Sequence, residues 1–124
     1  MSLIPENLMY TKDHEWALLE GGVATVGITD HAQRELGDIV FVELPKVGAA
    51  VQAGESFGTI EAVKTVAELY APVAGVVTEV NAALAGDAGV INQDPYGKGW
   101  ILKVKMSKSA NDELMDAAAY KQLI

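Results

Sequence analysis

A chain of 124 residues suffices for one compact domain and little more, and with half its residues hydrophobic but only 6% aromatic its core must be built from Val, Leu, Ile and Ala. The net charge of −8 with no visible basic face argues against a nucleic-acid binder. The lack of cysteine removes disulfides, thiolate metal ligands and thiol nucleophiles. No stretch is long and apolar enough to span a membrane. The N-terminal MSLIPENLMYTKDHEW has neither a signal-peptide core nor an Arg/Ser-rich transit pattern, so the cytoplasm is the expected compartment.

In chain order, HEWALLEGGVATVGIT reads as a hairpin: His14 to Leu19 is one strand, Glu20-Gly21-Gly22 the turn, and Val23 to Ile28 the return. TDHAQRELGD follows as a short helix, with Thr29 as N-cap, Asp30 in the first turn and Gly37 at the C-terminal end. DIVFVELPKVG then reads as a strand apolar on both faces, Ile39, Phe41 and Glu43 on one and Val40, Val42 and Leu44 on the other, stopped by Pro45. VGAAVQAG (residues 47–54) resembles VNAALAGD (residues 80–87), each lying between a strand and a further expected strand, FGTIEA in the first copy and GVIN in the second. Two such units imply a mostly β, pseudo-symmetric small sandwich or flattened barrel. A Pro/Gly loop, DPYGKGW, feeds a last strand from Trp100 to Met106. A C-terminal helix is expected over about 111–122, capped by Ser109 or Asn111, with Leu114 or Met115, Ala118, Gln122 and Leu123 on its apolar stripe. Residues 1–124 read as a single domain.

Between these elements, TIEAVKTVAELYAPVAG reads as a second hairpin spanning about 57–71. A two-residue turn at Val63-Lys64 sets Ala62 opposite Thr65, Glu61 opposite Val66, Ile60 opposite Ala67, Thr59 opposite Glu68 and Phe57 opposite Tyr70. Lys64 then stands at the apex. Val63 is a poor choice for a turn that needs positive φ, so a type I turn with negative φ is expected, kept for recognition rather than for ease of folding. On spacing alone, a solvated loop lysine is the simpler account.

IEAVKTVAELYAPVAGVVTEVN resembles the modification site of lipoyl-bearing domains. Together with YTKDHEW, VGITDHAQRELGDIVFVELP, NQDPYGKGW and ELMDAAAY, it is similar over Tyr10 to Tyr120 to the glycine cleavage system H protein family. The resemblance implies a barrel-sandwich hybrid of the lipoyl/biotinyl-carrier type, with lipoate attached covalently to Lys64. It further implies a carrier rather than an enzyme, shuttling an aminomethyl group from a pyridoxal-phosphate-dependent glycine decarboxylase to a tetrahydrofolate-dependent aminomethyltransferase. An FAD-dependent dihydrolipoamide dehydrogenase then reoxidises the arm. A lipoate ligase or lipoyltransferase would load it, with Glu61 and Val63 as recognition elements. Glu15, His31 and Glu68 match positions of a cleft for the loaded arm, although Glu15 and Glu68 could equally be plain surface residues of strands and His31 an exposed helix residue. The family commonly has Ser where Ala62 stands and Ala where Thr65 stands. A mobile shuttle of this kind is expected to be monomeric.

A biotin carrier would flank its lysine with methionines, where this chain has Val63 and Thr65. Two histidines, no cysteine and no nucleophile elbow or phosphate loop leave an enzyme hard to assemble. An H-like relay that donates lipoate to other proteins stays open beside the shuttle.

Overall fold

The computed structural model describes residues 3–107 and 114–124. Among these residues nine strands form two sheets, in the expected mostly β architecture. The larger holds six strands in the order β1-β2-β3-β9-β8-β5: β1 Met9–Tyr10, β2 Glu15–Glu20, β3 Val23–Ile28, β5 Ala50–Val51, β8 Gly75–Val80 and β9 Leu102–Met106. The smaller holds three in the order β4-β6-β7: β4 Ile39–Glu43, β6 Ser56–Ala62 and β7 Val66–Tyr70. The sheets are separate and do not close into a barrel. No helix of the described residues is long and apolar enough to cross a membrane.

The first hairpin forms, but with a two-residue turn: Glu20 belongs to the strand, which starts at Glu15 rather than His14. Gly21 and Gly22 take φ of 57° and 83°, the mirror-image turn that matches strand twist, and Glu20 pairs with Val23. Helix α1 (Asp30–Leu36) starts at Thr29, whose hydroxyl accepts a hydrogen bond from the Ala32 amide, and stops at Gly37. The core lies between the sheets: Ile60 and Leu69 from the three-stranded sheet cluster with Val26, Val77, Leu102 and Val104 from the six-stranded one. Each such side chain, fully buried, contributes about 1.5–3 kcal/mol.

Several expectations need correcting. GVIN is no strand: Val90–Gln93 forms a helical turn, α2, and a 3-10 turn at Ala82–Ala85 precedes it, so the second repeat unit departs from the first there. A short β-branched run fits either state, and here the polar side chain of Asn92 anchors it to the end of α1. The last strand begins at Leu102 rather than Trp100. The strand at Ile39–Glu43 does not keep strict alternation, because a bulge sends both Val40 and Phe41 to solvent. A second bulge sets Ser56, not Phe57, opposite Tyr70, so the aromatic pair at the hairpin base does not form.

The C-terminal helix, α3, spans Ala117–Leu123 and is capped by the Asp116 carboxylate, which accepts from the Ala119 amide. Ser109, Asn111 and the start of the expected span lie outside the described residues; Leu114, Met115 and Asp116 are not helical. The buried face of α3 is Ala117 and Tyr120, while Ala118, Gln122 and Leu123 are exposed. Tyr120 sets that face by stacking on Tyr10 with ring centroids 4.7 Å apart.

Candidate functional site

The β6–β7 hairpin holds the expected register near its tip: Glu61 lies opposite Val66, Ile60 opposite Ala67 and Thr59 opposite Glu68. The Ala62 amide donates to the Thr65 carbonyl at 2.8 Å, which leaves Val63 and Lys64 as the turn. Neither has positive φ, since among described non-glycine residues that conformation belongs to His14 alone. Val63 is 76% exposed, and Lys64 is exposed as well. Among the described residues the ion pairs are Arg34–Asp30 and Lys103–Glu79, and neither involves Lys64.

The tip is braced from one side by the segment that leaves α1. The Val63 amide donates to the Asp38 carbonyl at 2.9 Å. Gly37, at φ 78° and ψ −154°, occupies a region that only glycine enters without strain. It also leaves room for the lysine, because a Cβ there would sit 3.3 Å from Lys64 Cε. Asn92 fixes this shelf: its Oδ1 accepts from the Ile39 amide at 2.9 Å, and its Nδ2 donates to the Gly37 carbonyl at 2.8 Å and to Gln33 Oε1 at 3.0 Å. The stem of Lys64 thus lies across a rigid, side-chain-free saddle.

Beyond the saddle, between α1, the start of β2 and the β7 edge, is a cavity of about 150 Å³. Ile28, Ala32, Leu36, Ile60, Ala67 and Leu69 give it apolar walls; Asp13, His14, Glu15, Glu35 and Glu68 supply polar groups. Glu15 and Glu68, 53 positions apart in sequence, therefore meet at one cleft. His31 is not on its lining. It is half-buried in α1 and packs its ring against that of His14, centroids 4.7 Å apart. A larger cavity of about 440 Å³ adjoins, lined by Thr11, Lys12, Tyr70, Pro72 and Leu114 among others, and Asp13 and Glu15 border both.

Glu15 is no plain surface residue, being 2% exposed. Thr11 Oγ1 donates to its Oε1 at 2.7 Å, and the Tyr70 amide donates to its Oε2 at 3.2 Å. Burial dominates those two bonds and pushes the carboxyl up to about 8. Glu68 is exposed and accepts from the Tyr70 hydroxyl at 3.2 Å. That bond and the charge beside it push the Tyr70 phenol up.

His14 takes φ 68° at the entrance to β2, and its Nδ1 lies 2.8 Å from the Tyr120 hydroxyl, which is also 2.8 Å from Thr29 Oγ1. Burial, and then the neighbouring His31, hold its ring below the ordinary imidazole range. Such a cleft, apolar-walled with carboxyl groups at two points, can hold an aliphatic chain that ends in a cation.

Sequence reasoning missed Thr11, His14, Gly37, Tyr70 and Asn92. The histidines of HEW and TDHA pack against one another, but His14 alone of the two lines the cleft. Gly37 read only as a helix terminator, and nothing local marks Asn92.

The family model described as glycine cleavage H-protein matches residues 8–124. A glycine cleavage system H protein of Rubrobacter xylanophilus is 63% identical over 108 residues, covering 87% of this chain and 86% of its own. One from Chlorobium limicola is 60% identical over 124 residues, covering 98% and 97%. The crystal structure of a glycine cleavage system H protein from Mycobacterium marinum superposes with a TM-score of 0.90 at 46% identity, over 96% of this chain and 97% of that one.

Proposed function

This chain belongs to the glycine cleavage H-protein family, whose members are lipoyl carriers and not enzymes, and we propose that Lys64 is the residue that bears its lipoyl group. As a member it works with the other components of the glycine cleavage system. The observation that carries the assignment is the presentation of Lys64: exposed, at the apex of a hairpin, outside the described ion pairs, with its stem supported by Gly37. An acylating enzyme needs such an amine, accessible and held in one place.

The lipoyl group, when attached, supplies a disulfide that takes up the aminomethyl cargo and two electrons, sulfur chemistry that a chain without cysteine cannot provide itself. The protein's residues do the rest. Acylation removes the charge of Lys64 and lengthens its stem into a tether, which keeps cargo at high effective concentration near each partner. The saddle at Gly37 lets that tether lie back toward the 150 Å³ cleft. There the apolar walls exclude water. Glu15 and Glu68 face a cationic amine, each bond between carboxylate and ammonium being charge-assisted. His31 acts at one remove by packing on His14, which lines the cleft. Glu61 and Val63, both exposed beside Lys64, serve recognition by the attaching lipoate ligase or lipoyltransferase. The partners of the loaded arm are the pyridoxal-phosphate-dependent glycine decarboxylase, the tetrahydrofolate-dependent aminomethyltransferase and the FAD-dependent dihydrolipoamide dehydrogenase.

Intact mass spectrometry after expression with added lipoate tests the assignment. A single lipoyl increment that is lost in Lys64→Arg is expected; no increment in a lipoylation-competent host refutes it. For the cleft, Glu15→Ala should speed breakdown of the aminomethyl-loaded arm, and an unchanged decay rate removes Glu15 from that role.

A further inference from the structure

Two sides of the hairpin tip differ in kind. The inner side carries the Gly37 saddle and leads to the cleft. The outer side is the solvent face of the three-stranded sheet, and its composition departs from that of an ordinary exposed face. Of the nine large apolar residues exposed among those described, four lie on the three-stranded sheet or its hairpin turn: Val40 at 57%, Phe41 at 49%, Val63 at 76% and Val66 at 61%. Phe41, Glu61 and Val66 form one cross-strand row, and Glu43, Thr59 and Glu68 form the next, with Glu68 on the β7 edge where it also borders the cleft. The three strands IVFVE, SFGTIEA and VAELY contain Glu43, Glu61 and Glu68 but no lysine or arginine. Neither ion pair among the described residues engages any of these carboxylates.

The bulge in β4 is what builds this face. Ile39 lies opposite Ala62, yet Phe41, not Val40, lies opposite Glu61. With regular pairing, Val40 would face Glu61 and Phe41 would face Ile60, which is 1% exposed, so the phenyl ring would join the core. The extra residue instead turns Val40 and Phe41 outward together. It forgoes burial of a phenylalanine to place a ring next to Glu61. Folding gives no reason for valine and phenylalanine at the exposed positions; binding does.

We propose that the outer face of the three-stranded sheet, made by Val40, Phe41 and Val66 with Glu43 and Glu61, is the docking face for the enzyme that acylates Lys64. Its counterpart is an apolar groove rimmed by lysine or arginine. The proposal rests on Lys64 being the modified residue. Among the partners, the acylating enzyme has the tightest geometric demand. It must bring an activated lipoyl donor, an acyl anhydride or thioester, to Nζ itself: the deprotonated amine attacks the donor carbonyl, the C–N bond forms as the bond to the leaving group breaks, and the amine's proton passes to a base. Partners of the loaded arm meet its far end and need not touch the rows beside the turn. Carboxylates without cations on the face, and the chain's net charge of −8, fit a basic partner surface. Separation of the two sides also leaves the arm free to rest on the inner side while enzymes engage the outer.

The test is steady-state acylation by a purified lipoate–protein ligase with lipoate and ATP, the H protein as varied substrate. Phe41→Ser with Val66→Ser should raise KM at least tenfold with kcat little changed. Val66→Thr, which keeps the β-branch, should raise KM about threefold, and Val47→Ser, an exposed position elsewhere, should leave it alone. Glu43→Gln should raise KM and flatten its rise with salt. Decay of the loaded arm should match the parent chain in every one of these variants. Parent-like KM in both the double variant and Val66→Thr, in chains still acylated at Lys64, overturns the docking face and leaves the carrier assignment standing. Acylation that persists in Lys64→Arg overturns the carrier assignment itself.

Discussion

Glu15 gives the sharpest quantitative test. Its carboxyl is 2% exposed, accepts two hydrogen bonds and has no cation bonded to it, so burial lifts its pKa from 4.5 to about 8. The sign follows from proton binding. Below pH 4.5 the folded and unfolded chains both hold this proton. Between 4.5 and about 8 the folded chain keeps a proton that the unfolded chain releases, and stability falls as pH rises. Above 8 both are ionised and the loss is complete. At 1.36 kcal/mol per pH unit, the window corresponds to roughly 4–5 kcal/mol. Glu15→Gln cannot ionise. Urea unfolding of both chains from pH 5 to pH 9 therefore isolates the carboxyl, because the opposing contribution of His14, whose pKa is lowered, cancels in the difference. Parent stability minus that of Glu15→Gln should fall by about 4 kcal/mol across the range. A flat difference refutes the buried neutral carboxyl. The same physics bears on cargo: an empty cleft at neutral pH holds a mostly neutral acid, and a cationic amine entering it would draw the proton off, so cargo retention should strengthen from pH 6 to 8.

Three further perturbations follow from the geometry. Tyr120→Phe removes a hydroxyl shared by His14 and Thr29 and should cost about 1–3 kcal/mol, with hydrogen exchange rising first in Ala117–Leu123; unchanged exchange there would show that α3 is held by packing alone. Asn92→Ala strands the Ile39 amide and the Gly37 carbonyl, at about 2 kcal/mol, and should speed exchange of the Val63 amide and slow acylation of Lys64, read by NMR and mass spectrometry. Gly75→Ala drives a Cβ into the Lys105 carbonyl of the adjacent strand and should cost about 3 kcal/mol by thermal unfolding.

What the sequence disclosed, and what it hid, divides along the range of the interactions. The two hairpins and helix α1 were legible because their signals are local: Gly21-Gly22 for the mirror-image turn, Thr29 for the cap, and alternation across Ile60 and Ala67 for the register at Lys64. Glu15 and Glu68 could be brought together only through the family resemblance. The burial of Glu15 depends on Tyr70, 55 positions away, and α3 buries Tyr120 because of Tyr10, across 110 positions. No periodicity in either segment carries that information.

The bulges are the instructive failure. IVFVE alternates perfectly well as a regular strand, and SFGTIEA nearly so; nothing in either string announces an extra residue. A bulge is a property of the pair, fixed by where two strands must start and stop against one another. At β4 the upstream anchor is the Ile39 amide on Asn92, and the downstream limit is Pro45. Between those ends Val40 is the residue left without a partner, since Ile39 pairs with Ala62 and Phe41 with Glu61. The strand could have hidden the surplus by placing a polar residue there, but valine and phenylalanine stand at the point of exposure, on the strand that pairs with the stem of the Lys64 hairpin. The deviation in β4 thus lies beside the hairpin tip, unlike the one at Ser56, which lies where β6 begins. Of the irregularities in pairing, this one turns two large apolar side chains to solvent close to the hairpin tip, and a local rule broken there is where recognition is expected to reside.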